Sequence, residues 1–183
     1  VIEDRTGNSW LLTDNGVWFV NGKTYETKPF FYENNTDVSV DNQVFYAGLS
    51  TDNLLYFGSD NGRIWRYNLL DGKFNLIQLP TQSSIKQIKS FNYQKLIAVT
   101  SSDGFFIFDP SGKKTEKYNH SNSPELKSDK IFETFFTGNR YMWFDTENVG
   151  IYRFDFTTNS FRYYNIETDD PATIVFPPRT MVF

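Results

Sequence analysis

The chain consists of short apolar segments separated by turns rich in glycine, asparagine and aspartate. Residues 53–79 show the pattern best, with apolar segments at 54–57, 64–67 and 74–79. Between these segments lie Asn61-Gly62 and Asp71-Gly72, and such dipeptides favour the positive φ angles of tight hairpins. The pattern predicts consecutive antiparallel strands, and no stretch has the period of an amphipathic helix.

This unit recurs along the sequence. Four hairpin glycines, each followed by an aromatic or apolar run and a closing Asn or Asp, are spaced by 46, 42 and 46 residues: Gly16, Gly62, Gly104 and Gly150. A repeat of this length that contains only strand-like segments is typical of propeller blades. The sequence therefore predicts an all-β fold, a β-propeller of about four four-stranded antiparallel blades.

The repeat predicts that residues 1–183 form one propeller domain and also predicts how that domain is divided into blades. Approximate blades are expected at 1–27, 43–80, 83–118 and 130–166, with 172–183 as the inner strand of a further or composite blade. The chain ends could pair and close a ring of four blades. Alternatively the chain is an incomplete arc of a larger propeller, and we expect the arc.

Three local features are less regular. A two-residue turn at Asn21-Gly22 is expected to lead into an outer strand at 24–27, and the inner strand of the second blade is expected at 43–49. Pro29 lacks an N–H group and is expected to interrupt strand pairing. The neighbouring residues 30–32, Phe-Phe-Tyr, form either a buried anchor, which we favour, or an exposed aromatic platform.

Aromatic residues make up 19% of the chain, with 19 Phe, 11 Tyr and 4 Trp. Runs such as 54–57 and 105–108 are nearly continuous in apolar residues, which indicates strands covered on both faces. The tryptophans, all on predicted strands, are expected to pack between blades: Trp10, Trp18, Trp65 and Trp143.

Charge and composition exclude several classes of function. The formal charge is −4, and the 18 basic and 22 acidic residues are mixed, so no basic stripe for nucleic acid exists. Cysteine is absent, which excludes disulfides and thiolate metal sites. No apolar run reaches the ~20 residues of a membrane span, so no membrane insertion by this segment is expected. Because the sequence starts at Val1, we expect a fragment or a mature piece.

Catalytic and metal-binding residues are poorly represented. The single histidine, His120, lies in a polar connector and is expected to be exposed. The neighbouring acids of Glu3-Asp4 and of Asp169-Asp170 should point to opposite faces of a strand. Residues 59–62 resemble part of a calcium loop but lack its further ligands, so we interpret them as a hairpin turn. The sequence predicts no catalytic residue, no cofactor and no metal site.

Ligand binding is the better hypothesis. In a propeller, the loops between second and third strands gather on one face, where Asx side chains can bond to sugar hydroxyls and an aromatic ring can stack on a pyranose. The candidate residues are Asp14, Asn15, Asp60, Asn61, Asp103 and Asn148 in these loops, with Tyr32 as the aromatic platform. For any single Asp or Asn, a purely structural role in the turn is favoured.

Several segments of the chain resemble the two-component regulator propeller repeat. They are residues 7–21, 52–74 and 138–161, together with the opening Ile2-Glu3-Asp4 and Gly7-Asn8-Ser9-Trp10. The third unit departs from that pattern, because Asn92 to Lys95 replace its Gly-Asn and Ala98 replaces an aromatic residue. The resemblance rests on structural residues, so it indicates architecture more strongly than chemistry.

In this family such repeats form the periplasmic sensor of hybrid two-component systems of Bacteroidetes. The resemblance implies a non-catalytic, extracytoplasmic sensor that recognises an oligosaccharide and relays the signal to a histidine kinase. It implies as partners the rest of the sensor propeller and a homodimer partner. Two alternatives stay open, a protein-interaction scaffold and a propeller enzyme such as a polysaccharide lyase.

Overall fold

The computed structural model describes residues 1–30, 44–92, 95–147 and 150–164. These residues form four antiparallel sheets of four strands each and contain no helix. Within each sheet, strands that follow one another in sequence are neighbours in space. Each sheet is therefore a meander whose strands are joined by short turns.

The first two sheets contain strands β1 to β8. Sheet 1 comprises β1 (Ile2–Glu3), β2 (Ser9–Thr13), β3 (Gly16–Val20) and β4 (Thr27–Pro29). Sheet 2 comprises β5 (Ala47–Thr51), β6 (Leu54–Gly58), β7 (Arg63–Asn68) and β8 (Phe74–Gln78).

The other two sheets contain strands β9 to β16. Sheet 3 comprises β9 (Ile85–Asn92), β10 (Lys95–Thr100), β11 (Phe105–Phe108) and β12 (Thr115–Tyr118). Sheet 4 comprises β13 (Ile131–Thr137), β14 (Tyr141–Thr146), β15 (Ile151–Asp155) and β16 (Ser160–Tyr164).

The predicted repeat is present in the structure. All four repeat glycines precede or begin the third strand of a sheet with positive φ: Gly16 at 102°, Gly62 at 68°, Gly104 at 67° and Gly150 at 141°. Asn61 also has a positive φ, of 56°, so residues 59–62 form the predicted hairpin turn. The turn chemistry seen in the sequence thus places the same hairpin in each sheet.

The end of sheet 1 differs from the prediction. The turn after β3 is longer than Asn21-Gly22: the Asn21 N–H donates to Glu26 O, and the Tyr25 N–H donates to Asn21 O, both at 2.9 Å. Tyr25 supplies the left-handed residue of this turn, with φ 59°. The outer strand therefore begins later than predicted, at Thr27.

Pro29 does not interrupt pairing, which corrects the sequence-based expectation. It is the last residue of β4 and lies opposite Trp18 in the ladder. Proline is tolerated there because β4 is an edge strand, which has a partner on one side only. The inner strand of sheet 2 also begins later than residue 43, at Ala47.

The chain divides into two compact units, Val1–Thr100 with Phe106–Glu116, and Ser101–Phe105 with the residues from Lys117 onward. In the first unit, alternate residues of β6 enter two different cores. Leu55 and Phe57 join a cluster with Trp10 of sheet 1, whereas Tyr56 joins a cluster with Phe106 of sheet 3. Both faces of β6 are buried, which explains its continuous apolar sequence.

In the second unit the core is aromatic. Phe154 of β15 is fully buried, and its ring centroid lies 5.2 Å from that of Phe105, 4.8 Å from Tyr118 and 4.9 Å from Phe161. Phe144 of β14 is also fully buried. One face of sheet 4 therefore packs against Phe105 and Tyr118 within this unit.

The tryptophans divide into two groups. Trp10 and Trp65 are each 2% exposed and pack between sheets 1 and 2, as predicted. Trp18 departs from the prediction, because it is 36% exposed on the face of sheet 1 opposite Trp10. Trp143 is half-buried on the face of sheet 4 that lies opposite to the face of its neighbour Phe144. Its indole N–H donates to the Thr137 hydroxyl at 2.9 Å.

Phe30 is a buried anchor, as favoured. Its ring packs edge-on against Trp10 at 4.4 Å and Tyr67 at 4.8 Å, and it is 8% exposed. The other two aromatics of that run, residues 31 and 32, lie outside the described residues.

Candidate functional site

Several connections of the first unit meet at one edge of sheets 1 to 3. The Phe45 N–H donates to Thr13 O, the Tyr46 N–H to Gly58 O and the Ile85 N–H to Ser59 O, at 2.9–3.1 Å. These bonds join the β2–β3 turn, the entry to β5, the β6–β7 turn and the entry to β9. The sequence-predicted Asp14, Asn15, Asp60 and Asn61 all lie in these connections.

A polar cluster lies at the centre of this edge; we call it the Tyr46 cluster, and it comprises Tyr46, Asp60, Ser84 and Lys86. The Asp60 carboxylate accepts from the Ser84 hydroxyl at 2.5 Å, and it lies near enough to the Tyr46 hydroxyl to raise the pKa of that group. The Lys86 ammonium lies 3.6 Å from the centre of the Tyr46 ring. Tyr46 is 40% exposed, so a ligand can reach the cluster.

The electrostatics of the cluster keep Tyr46 protonated. Partial burial raises the pKa of Tyr46, and the charge and hydrogen bond of Asp60 raise it further. The charge of Asp14 acts in the same direction, while the hydrogen bond with Ser84 opposes it. Tyr46 is therefore a neutral donor, and the cluster combines a phenol, a hydroxyl, a carboxylate and an ammonium group.

A cleft of about 350 Å³ adjoins the cluster at the β6–β7 turn. It is lined by Asn61, Arg63, Gln78, Leu79, Pro80, Thr81 and Gln82. The Gln78 side-chain amide closes one side by donating to Asn61 O at 2.6 Å and to Leu79 O at 3.0 Å. The cleft volume lies within the range of about 300–1,000 Å³ that small ligands occupy.

Two of the predicted ligand-binding residues, Asp14 and Asn15, lie outside the Tyr46 cluster. Asp14 and Asn15 are both exposed in the β2–β3 turn, where the Asn15 N–H donates to the Thr13 hydroxyl at 3.2 Å. Asp14 acts on the Tyr46 cluster through its charge. The structure thus brings Asp14 and Asp60 to one tyrosine, Tyr46.

Asp103 belongs to the second unit and is held by its neighbours. Its carboxylate accepts from the Lys117 ammonium at 2.7 Å and from the Asn119 amide at 2.9 Å. His120 is exposed, as predicted, and its Nδ1 lies 2.8 Å from Leu126 O. The geometry gives Asp103 a structural role in joining the β10–β11 and β12–β13 connections.

The remaining candidates receive no structural test. Tyr32 and Asn148 lie outside the described residues, as do Asp169 and Asp170. In the other acidic pair, Glu3 is exposed and Asp4 is 4% exposed.

Among the described residues, no three His, Cys, Asp or Glu side chains are grouped to hold a metal ion. No helix in the described part of the chain is long and apolar enough to cross a membrane.

Sequence reasoning missed Tyr46, Ser84 and Lys86. Each lies at or just before the start of an inner strand. A charged residue early in an inner strand, such as Lys86, is the signal that could have pointed to this edge. The convergence of Tyr46 with Asp60 depends on the packing of neighbouring sheets, which the sequence does not display.

Comparison with solved structures identifies proteins of the same fold. The extracellular domain of BT4673, named as a hybrid two-component system of B. thetaiotaomicron, aligns at TM-score 0.69 and 20% identity over 94% of this chain and 22% of its own. The extracellular domain of BT3049, also named as a hybrid two-component system of this organism, aligns with a TM-score of 0.73 and 17% sequence identity. The alignment covers 89% of this chain and 24% of the BT3049 chain. The β-propeller domain of Cps50 (Swd1) from Myceliophteria thermophila aligns with a TM-score of 0.63 and 13% sequence identity. The alignment covers 87% of this chain and 52% of the Cps50 chain.

No protein-family model and no curated protein matches the sequence. The chain spans less than a quarter of the length of the two extracellular domains it matches. The predicted fold is confirmed: the chain has an all-β, β-propeller fold with four four-stranded antiparallel sheets in its described residues. This is the fold of extracellular domains of two-component systems, as the sequence resemblance indicated.

Proposed function

We propose that this chain is a segment of a non-catalytic, extracytoplasmic sensor propeller of a two-component signalling protein. The observation that carries the proposal is the fold it shares, over 89–94% of its length, with extracellular domains of proteins named as hybrid two-component systems. The proposal includes the division of residues 1–183 into the blades given above and a periplasmic location. The larger propeller, of which this chain is one part, is the sensing unit.

The proposed ligand is an oligosaccharide that binds at the Tyr46 cluster and the adjoining Asn61 cleft. Sugars need both donors and acceptors because each hydroxyl is both, and the cluster offers a phenol, a carboxylate, a hydroxyl and an ammonium within one edge. Asp14, Asn15 and Asn61 extend this polar surface. Tyr32, Asp103 and Asn148 remain predicted ligand-binding residues from the sequence.

Relay to a histidine kinase requires that the ligand favour one arrangement of the intact sensor over another. A ligand that binds two arrangements equally shifts neither. The proposed partners are the rest of the sensor propeller and a second copy of the protein, so that saccharide binding biases the arrangement of a homodimer.

The test is a calorimetric titration of the intact sensor with a library of oligosaccharides. We expect saturable binding of at least one member, weakened about tenfold by Tyr46→Phe, which removes a hydroxyl, or by Asp60→Asn, which replaces one oxygen of a charged acceptor by an amide donor. Asp52→Asn is the matched control, since it removes an exposed carboxylate from the β5–β6 turn at the other edge of sheet 2.

Failure of every oligosaccharide to bind would overturn the ligand assignment. A stable protein partner, captured equally with and without sugars, would instead support an interaction scaffold. Turnover of a polysaccharide that is lost on changing His120 would support an enzyme such as a lyase.

A further inference from the structure

A second cleft, of about 390 Å³, lies between sheets 1 and 2 of the first unit. It is formed by the β1–β2 turn, parts of β3 and β4, and the start of the β7–β8 turn. These connections lie at the strand ends opposite to the Tyr46 cluster, because successive turns of a meander alternate between its two edges. The cleft is therefore separate from the site proposed above.

One part of the cleft wall is apolar. Trp10 is 2% exposed and forms the base, with the ring of Phe19 5.0 Å and that of Tyr67 6.0 Å from it. Phe19 and Tyr67 are half-buried, and Leu70 is 69% exposed at the rim. Such a wall suits a flat apolar ring, since aromatic rings gain most from edge-on and offset contacts with other rings.

The Asp4 carboxylate and the other polar side chains of the β1–β2 turn are largely occupied by one another. The Asp4 carboxylate accepts from the Thr6 N–H and hydroxyl, from the Asn8 N–H and amide, and from the Trp10 indole, at 2.6–3.2 Å. The Asn8 amide also donates to Thr6, and its oxygen accepts the Gly22 N–H. The acceptors that a hydroxyl-rich sugar would need are already engaged.

The polar groups that remain are donors. Arg5 and Lys28 both line the cleft, both are exposed, and neither is ion-paired within the described residues. The Tyr67 hydroxyl is a third donor: burial raises its pKa, and the nearby charge of Asp71 raises it further, so the group stays protonated. A ligand must supply acceptors to these donors, and a carboxylate is the acceptor that cations bind most strongly.

We infer that this cleft binds a small aromatic carboxylate, with its ring against Phe19, Tyr67 and Leu70 and its carboxylate at Arg5 and Lys28. The inference does not rest on the proposed sensor function. A cleft of this size accommodates a single substituted ring with a short acidic chain.

The first test is a titration of the intact protein with 4-methoxycinnamate, followed by calorimetry and by tryptophan fluorescence, because Trp10 lies at the base of the cleft. We expect saturable one-to-one binding of the acid and about tenfold weaker binding of its methyl ester, which lacks the charge. Glucuronate, a carboxylate on a hydroxyl-rich ring, is expected to bind more weakly than the cinnamate. Equal binding of the ester, or tighter binding of glucuronate, would overturn the inference.

The second test compares charge-matched variants. Arg5→Gln and Lys28→Gln should each weaken cinnamate binding about threefold to tenfold, since both side chains are exposed and their loss removes one charge-assisted bond. Lys23→Gln removes the same charge from the exposed turn before β4 and should leave binding unchanged. If all three variants bind alike, or the unaltered protein does not bind the acid, the cleft does not have this role.

Discussion

At the scale of single residues, an Asn or Asp at the end of the third strand of each sheet, or directly after it, shapes the turn that follows. In every sheet its side-chain oxygen accepts the backbone N–H two residues later, at 2.9–3.0 Å: Asn21 from Lys23, Asn68 from Leu70, Asp109 from Ser111 and Asp155 from Thr157. This is the Asx-turn geometry for which Asn and Asp are preferred. The closing Asn or Asp of the repeat is therefore a structural residue.

Asp4 has the same kind of role in the opening motif. Burial raises its pKa, but hydrogen bonds from Thr6, Trp10 and Asn8 outweigh that effect and hold the pKa below its usual value. The side chain ties the β1–β2 turn to the buried Trp10 indole. Turn architecture thus explains Asp4, Asn8 and Trp10 of the motif that carries the family resemblance, without reference to a ligand.

Gly62 is required for two separate reasons, and substitution can separate them. Its φ is 68°, and a Cβ there would lie 2.7 Å from Leu79 O and 2.8 Å from Thr81 O. Gly62→Ala should therefore cost about 1–2 kcal/mol of unfolding free energy from strain and a further 1–3 kcal/mol or so from overpacking, measured by urea denaturation.

The control for this prediction is Gly138→Ala. Gly138 has φ 58° but would place a Cβ in open space, with no atom within 4 Å, so only the strain cost is expected. Equal losses of stability for the two variants would show that the close approach of residues 79 and 81 is unimportant.

The pH dependence of stability contains a contribution from Asp155. Its carboxylate accepts two bonds from the Arg140 guanidinium, at 2.8 and 3.0 Å, and these bonds, together with the Arg140 charge and bonds from Thr157, lower its pKa from 3.8 to about 2. A carboxyl with a lower pKa in the folded state stabilises the fold above its unfolded pKa. That stabilisation is lost as the pH falls from near 4 through about 2.

The measurement is the urea midpoint between pH 5 and pH 2. Asp155→Asn should lower the midpoint at pH 5 and show a smaller further decrease on acidification than the unaltered chain. Asp52→Asn, at an exposed turn position, serves as the matched control and should retain the full decrease. Parallel curves for the Asp155 variant and the unaltered chain would contradict the assignment.

At the scale of elements, β6 is the strand on which the packing of the first unit depends. Its alternate side chains face sheet 1 and sheet 3, because successive residues of a strand point to opposite faces. Residues 55–58 of β6 are all buried, and the side chains of 55–57 alternate between the two faces. A strand of this kind reads as a continuous apolar run, which is how the sequence displays it.

Truncation of a buried side chain in β6 should lower the free energy of unfolding far more than truncation of an exposed side chain in β8, the outer strand of the same sheet. Leu55 is fully buried, so Leu55→Ala should lower the free energy of unfolding by about 2–5 kcal/mol through lost burial and a cavity. Leu76 of β8 is 48% exposed, and Leu76→Ala should cost less than about 1 kcal/mol. Chemical denaturation of both variants tests this, and similar losses would mean that Leu55 does not lie in a packed core between sheets 1 and 2.

At the scale of the whole molecule, one face of sheet 1 differs from both faces of sheet 2. Leu11, Trp18 and Pro29 lie across from one another on the face opposite Trp10, and Trp18 is 36% exposed. A blade inside a propeller packs against a neighbour on each side. If the chain is an arc of a larger propeller, as proposed, a further blade covers this face in the longer protein.

Trp18 provides the measurement for that proposal. In the 183-residue chain, acrylamide should quench a component of the tryptophan fluorescence that Trp18→Phe removes and that Trp65→Phe, at a site 2% exposed, does not. In a longer version that includes the neighbouring blades, the same component should become protected. Unchanged quenching of Trp18 in the longer protein would argue against a blade on this face.

The sequence alone determined the features that depend on local chemistry. Positive φ at Gly62, the hairpin at residues 59–62 and the recurrence of the repeat all follow from which residues can adopt a turn, so they can be predicted without knowing what lies nearby. The resemblance to a known repeat was readable for the same reason, since its motif consists of turn and core residues such as Asp4 and Trp10.

Only the tertiary structure decided which residues meet across sheets. Pro29 remains in a strand because β4 is an edge, and Trp18 is exposed because no described sheet covers its face. Tyr46 and Asp60 come together because the entry to β5 packs beside the β6–β7 turn. Such contacts depend on the register and stacking of separate strands, whereas a sequence pattern reports only the period and turn preference of each strand by itself.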